Sequence, residues 1–195
     1  MDYVANILAV FKQANAQEIT DGQLWYSDAR QEAQEIADNH NLALSTVVGV
    51  IAALSPTNKW DRNIIDANNI CAAFVAGEYQ ESVKVCTYNT MRNKAWGILE
   101  QAVTDVDQIA TMLKGPKITD FFLCIMGMDT CVIDGHAWGI ANAERRNMQD
   151  VPNIGKRLRI ALQEAYVKAG AQVGLTAYEM QAVTWVAWRR IHKIV

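Results

Sequence analysis

Residues 113–143 read LKGPKITDFFLCIMGMDTCVIDGHAWGIANA. Lys114-Gly115-Pro116 is a turn signal, because a proline cannot continue a helix but suits the first position of a new one. Lys117 follows at that start, and the apolar spacing from Ile118 to Met126 predicts a buried helix. Gly127-Met128-Asp129 turns the chain again. Cys131-Val132-Ile133 is a short apolar run, and Asp134 then stands where another helix opens, a position that favours a short carboxylate.

Working outward, the same helical spacing recurs in Val4, Ile7, Leu8 and Phe11 and in Leu158, Leu162 and Ala165. Further turn signals fall at Asp21-Gly22, Ser55-Pro56-Thr57-Asn58, Ala76-Gly77-Glu78 and Asn153-Ile154-Gly155. About eight helices joined by short loops are expected, in an all-α chain. Asp28 to Asn39 is a charged amphipathic helix, whereas Ser45 to Leu54 is apolar on nearly every face and belongs in the interior. Ser45 is the expected N-cap of that helix, and Ser55-Pro56 ends it, since the residue before a proline is pushed out of the helical region. Thr176 with Glu179 three residues on forms a capping box for the last helix.

Composition narrows the function classes. With 51% apolar and 20% charged residues among 195, the chain resembles an ordinary globular protein, which excludes disorder and low complexity. The longest apolar runs, such as Val47 to Leu54, fall far short of the roughly 20 residues that cross a bilayer, so no membrane partner is expected. The N-terminus MDYVANILAV lacks the basic start of a signal peptide, and a cytoplasmic protein is expected. Cys71, Cys86, Cys124 and Cys131 show no metal-ligand spacing, so neither a zinc site nor a disulfide framework is expected, and the chain as a whole implies no metal or organic cofactor. The net charge of −3 gives no global field toward nucleic acid, and any DNA contact must rest on a local patch.

The order found in 113–143 resembles the helix-hairpin-helix DNA glycosylases of the endonuclease III type. In that family a segment L-x-G-x-G-x-K leads through an apolar helix and a glycine to V-D-x-H. The matching positions are Leu113, Gly115, Lys117, Gly127, Val132, Asp134 and His136, with Ile133 between the valine and the aspartate. A second stretch, VVGVIAALSPTNKWDRN at 47–63, looks like the family's buried helix ending in L-S with a polar loop after it. The two stretches cover about a third of the chain. The hairpin is two residues shorter than the family's, with Pro116 in its place, and the family's iron–sulfur cysteines are absent. WYSDAR and QAVTWVAWRR look more like small phage-encoded relatives of these enzymes.

The resemblance implies a two-lobed all-α domain of the helix-hairpin-helix type, spanning 1–195, without an iron–sulfur cluster. One lobe would take about 41–126 and the other about 1–40 with 127–195. A central cleft would present Asp134, Lys117 and the Ser55–Asn63 loop. A monomer is expected, acting on an extruded base in duplex or single-stranded DNA.

Each candidate residue has a chemical and a structural reading. Cleaving an N-glycosidic bond builds positive charge on the sugar, and a nearby carboxylate stabilises it by about 4 kcal/mol at 4 Å in an effective dielectric near 20. Asp134 would supply this or activate the attacking water; alternatively it simply caps the helix from Gly135. Lys117 would form a Schiff base and add strand cleavage if burial or a cationic neighbour such as Lys114 made its amine partly neutral; alternatively it is a solvated lysine beside a turn. His136 would orient Asp134 or fill a structural role. Asp120, one turn past Lys117, is either near the site or an exposed first-turn carboxylate.

In the loop after the interior helix, Asn58 would read an amide edge, Trp60 would stack on a base, and Lys59 or Arg62 would hold phosphate. The alternative reading of Trp60 is partial core packing. The DNA- or base-contacting set is then Ser55, Asn58, Lys59, Trp60, Arg62, Asn63, Gly115 and Trp138. Gln181, Trp185 and Trp188 share a helical stripe that is either core or a platform. The basic tail Arg189 to Lys193 and the cluster Lys156-Arg157-Leu158-Arg159 either meet phosphates or are solvated. Two other readings of the same residues are a base-hypermodifying transferase, in which Asp134 deprotonates an incoming amine, and a binding module that has lost catalysis.

Overall fold

The computed structural model describes residues 2–194. It is all-α: ten α-helices and two short 3₁₀ turns, with no strand among the described residues. The helices are α1 (Tyr3–Phe11), α2 (Ala16–His40), α3 (Leu44–Leu54), α4 (Trp60–Val75), α5 (Asn89–Glu100), α6 (Val106–Leu113), α7 (Pro116–Ile125), α8 (Gly135–Asn142), α9 (Lys156–Ala171) and α10 (Ala177–Ile191). The chain divides into two compact units, one of Met1–Ser27 with Gly127–Val195 and one of Asp28–Met126, so the division falls inside α2.

The 28–126 unit is organised on α3. Every residue from Ser45 to Leu54 is buried, and removing Val47, Val48, Val50, Ile51 and Leu54 from water contributes roughly 1.5–3 kcal/mol each. Gly49 lets α3 approach α6, since a Cβ there would lie 2.7 Å from the Ile109 side chain. Ser45 is not the N-cap expected of it. The helix starts one residue earlier, at Leu44 with Ala43 as cap, and the hydroxyls of Ser45 and Thr46 donate to Thr104 O (2.7 Å) and Val103 O (2.8 Å) instead. These bonds satisfy carbonyls of the turn between α5 and α6. The far end falls where read, at Leu54, but not for the reason expected: Ser55, the residue before Pro56, keeps helical angles (φ −69°, ψ −26°) as the C-cap.

The unit of 1–27 and 127–195 buries Ile7, Ile140, Leu162, Tyr166, Met180 and Trp188 from α1, α8, α9 and α10 in one core. Asp21-Gly22, expected as a turn, lies within α2. A Cβ on Gly22 would stand 2.5 Å from Val183 N and Cα, so the glycine serves close packing of α2 on α10 and not chain reversal. Helix α2 opens with a reciprocal cap, Glu18 N donating to Asn15 Oδ1 (2.9 Å) and Asn15 N to Glu18 Oε2 (2.8 Å). Glu18 also accepts from Arg190 at 2.6 and 3.1 Å, fastening α2 to α10. The capping box of Thr176 and Glu179 on α10 is present as read.

Candidate functional site

Asp134 is delivered by an extended segment tied down on both sides. Cys131, Val132 and Ile133 are buried, and Gln163 Nε2 of α9 donates to Cys131 O (3.0 Å) and Thr130 Oγ1 (3.3 Å). At the end of this run Asp134 keeps an extended backbone and caps α8, its Oδ1 accepting from Ala137 N at 2.8 Å. Its other oxygen has no hydrogen-bond partner among the described residues. The side chain is part-exposed, and so is His136 two residues on. Beneath them Tyr166, 0% exposed, donates to Ala137 O at 3.3 Å. Burial pushes its phenol well above the usual range, and the charges of Cys131 and Asp134 add to that.

The segment after α8 folds back over the same end of the helix. A Cβ at Gly135 would lie 2.8 Å from Met148 Sδ, so Gly135 admits Met148 and Val151 against the first turn of α8. Trp138 is buried, with the Arg146 guanidinium 5.1 Å above its ring centroid.

In the 28–126 unit the loop Ser55–Lys59 is held by a carboxylate that the sequence reading passed over. Asp66 is fully buried. Its Oδ1 accepts from Arg62 Nε (2.8 Å), and its Oδ2 from Asn58 Nδ2 (3.1 Å) and Cys86 N (2.7 Å). The Thr87 hydroxyl adds a bond to Pro56 O at 2.6 Å. Asn58 thus spends its amide hydrogens on Asp66 and, at 3.4 Å, on Leu54 O, leaving its oxygen outward-capable. Trp60 Nε1 donates to Glu32 (3.1 Å), and the ring meets Phe121 edge-on. Asn63 is buried and donates to Ile51 O at 3.0 Å, while its Oδ1 has no partner. Ser55 bonds back to Ala52 O at 2.9 Å, and Lys59 is exposed at the head of α4.

Gly115 caps α7, Pro116 is its first residue, and Lys117 is exposed in its first turn. Asp120 is buried rather than exposed. Lys94, which the sequence reading did not single out, donates from Nζ to Leu113 O at the end of α6. Burial and the charge of Lys114 lower its pKa. The only sequence signal for Asp66 is its i,i+4 spacing from Arg62; Lys94 had none. All four cysteines are free, and burial pushes Cys71 up to about 12, an inert thiol. Among the described residues no group of three or more His, Cys, Asp or Glu is placed to hold a metal, and no helix is long and apolar enough to cross a membrane.

These features define an all-helical protein with a tethered, half-free carboxylate at a helix start and an internally braced polar loop. The chain belongs to the Family of unknown function (DUF7178), whose model matches residues 1–192. No curated protein and no solved structure matches it at a significant level.

Proposed function

We propose that the protein is a DNA glycosylase-like enzyme of the helix-hairpin-helix type that hydrolyses the N-glycosidic bond of a modified or non-standard base, with Asp134 as its central carboxylate. The observation that carries this reading is the state of Asp134: one oxygen fixed by Ala137 N, the other unpartnered, on a segment clamped by Gln163. A carboxylate so oriented can face a developing oxocarbenium ion without reorganising, which is where electrostatic catalysis gains most. In the reaction the C1′–N bond breaks and the base leaves with the bond electrons. Water adds to C1′, its proton passing to Asp134 and on to the departing base. His136, two residues after Asp134 in the first turn of α8, is assigned as a positioning residue.

The ordered match through Gly115, Lys117, Gly127, Asp134 and His136 supports the same reading. Lys117 is exposed, and exposure does not favour a neutral amine, so hydrolysis without strand cleavage is the reaction proposed. Lys117, Lys59 and Arg62 then serve as phosphate contacts.

The test incubates wild type and Asp134→Asn with duplex and single-stranded DNA carrying uracil, 5-hydroxymethyluracil or alkylated bases, scored by mass spectrometry. Base release by wild type and none by the variant is expected. Equal release by both, or no release from any substrate, overturns the reading; a new nucleoside mass without abasic sites would indicate base modification instead.

A further inference from the structure

Beside the α8 start lies a concavity of about 460 Å³ lined by Arg145, Arg146, Asn147 and Asp150. Its charges are not equivalent. Arg146 Nε donates to Glu144 (2.7 Å) and Nη1 to Asp150 O (3.3 Å), with Trp138 under its plane. The Asp150 carboxylate accepts from Asn147 Nδ2 at 3.0 Å. Both acidic side chains of the segment are therefore engaged internally. Arg145 is exposed and has neither a hydrogen bond nor an ion pair among the described residues. Its full fork of five N–H donors is available, next to a second guanidinium whose rotamer is already fixed.

Around this pair the chain is locally basic against the acidic whole: 145–159 carries Arg145, Arg146, Lys156, Arg157 and Arg159 against Asp150 alone. His192, at the C-terminal end of α10, meets the Trp188 ring edge-on at 4.0 Å, and burial, with the charge of Arg145 adding, lowers its pKa.

We propose that the Arg145–Asn147 concavity is a binding site for a phosphodiester of a polynucleotide backbone, with Arg145 supplying the uncompensated charge and Arg146 a pre-positioned second fork. A planar guanidinium pair matches the phosphate oxygens bidentately, and the volume, within the range of ligand sites, leaves room for the attached sugar. The proposal rests on the nucleic-acid reading of Asp134 for its choice of polynucleotide over free phosphate.

The experiment titrates a fluorescein-labelled oligonucleotide, single-stranded and duplex, with the full chain by anisotropy over a range of KCl. Wild type, Arg145→Ala and Arg145→Lys are compared. Arg145→Ala should weaken binding about tenfold and make the log K against log [salt] slope shallower by about 0.7–0.9, the share of one phosphate contact. Arg145→Lys should restore the slope. Because Arg145 is exposed and unbonded, its variants should melt at the wild-type temperature. Unchanged affinity and slope in Arg145→Ala, or no oligonucleotide binding by wild type, overturns the proposal. Displacement by pyrophosphate or a nucleoside monophosphate as effective as by oligonucleotide overturns the polynucleotide assignment in favour of a free phosphate ligand. Arg145-dependent binding without base release would sink the Asp134 chemistry and leave this site standing.

Discussion

At the scale of single residues, Asp134 carries two jobs that substitution can separate. As the N-cap of α8 it accepts from Ala137 N, and losing such a cap costs about 1 kcal/mol. Asp134→Ala should therefore lower the melting temperature modestly and also abolish base release. Asparagine caps helices as well as aspartate does, so Asp134→Asn should melt near wild type yet still release no base. A variant that loses activity only in proportion to its stability would show that the residue is a cap alone. Asp66 is the opposite case, a carboxylate with no route to a substrate. It is buried under three donors from Asn58, Arg62 and Cys86, and removing it leaves the amide donors of the loop unsatisfied. Asp66→Ala should cost about 3 kcal/mol or more in denaturant unfolding. It should also loosen Ser55–Lys59, visible as faster hydrogen exchange there; a loss below about 1 kcal/mol would refute that organising role.

At the scale of elements, packing decides what propensity leaves open. Gly22 has helical neighbours on both sides, and α2 runs through it because α10 crosses there with Val183 backbone 2.5 Å from where a Cβ would sit. Gly22→Ala improves helix propensity by up to about 1 kcal/mol but forces two helices apart, a clash with backbone that typically costs 1–3 kcal/mol. The net change should be destabilising, and a raised melting temperature would refute the packing role. Thr176→Ala, by contrast, should cost about 1 kcal/mol through loss of a local capping bond. The comparison explains what was legible. The interior helix α3, the α7 start at Pro116 and the Thr176–Glu179 box are written within a few residues of themselves, so apolar spacing and cap chemistry suffice. Gly22 and Ser45 were misread because their deciding partners, Val183 and Thr104, lie far along the chain. The candidate site divides the same way: Asp134 announces itself as a helix start, whereas Asp66 and Lys94 owe their settings to Cys86 and Leu113.

At the scale of the whole molecule, the net charge of −3 conceals an uneven distribution. The 28–126 unit carries eight basic and twelve acidic side chains, the other ten basic and nine acidic. The response to acid concentrates in the second of these, at two groups whose pKa values the fold lowers. His192 is held down by burial and by the charge of Arg145, and its ring meets Trp188 edge-on. Glu18 is held down first by its hydrogen bond from Arg190, with the Asn15 backbone bond adding. In both, the unfolded chain binds the proton more tightly, so stability falls as pH drops from the unfolded pKa through the lower folded one. For a histidine that window opens at about 6.5, for a glutamate at about 4.3. Stability should therefore decline in two stages between neutrality and strong acid. His192→Gln should flatten the first stage and leave the second. Glu18→Gln should be less stable than wild type at pH 7, where the carboxylate both completes the α2 cap and holds Arg190, and the gap should close as pH falls below about 4. Melting temperatures of the three proteins across this range measure both effects, and a Glu18→Gln gap that stays constant down to strong acid would mean the Arg190 pair contributes nothing through its charge.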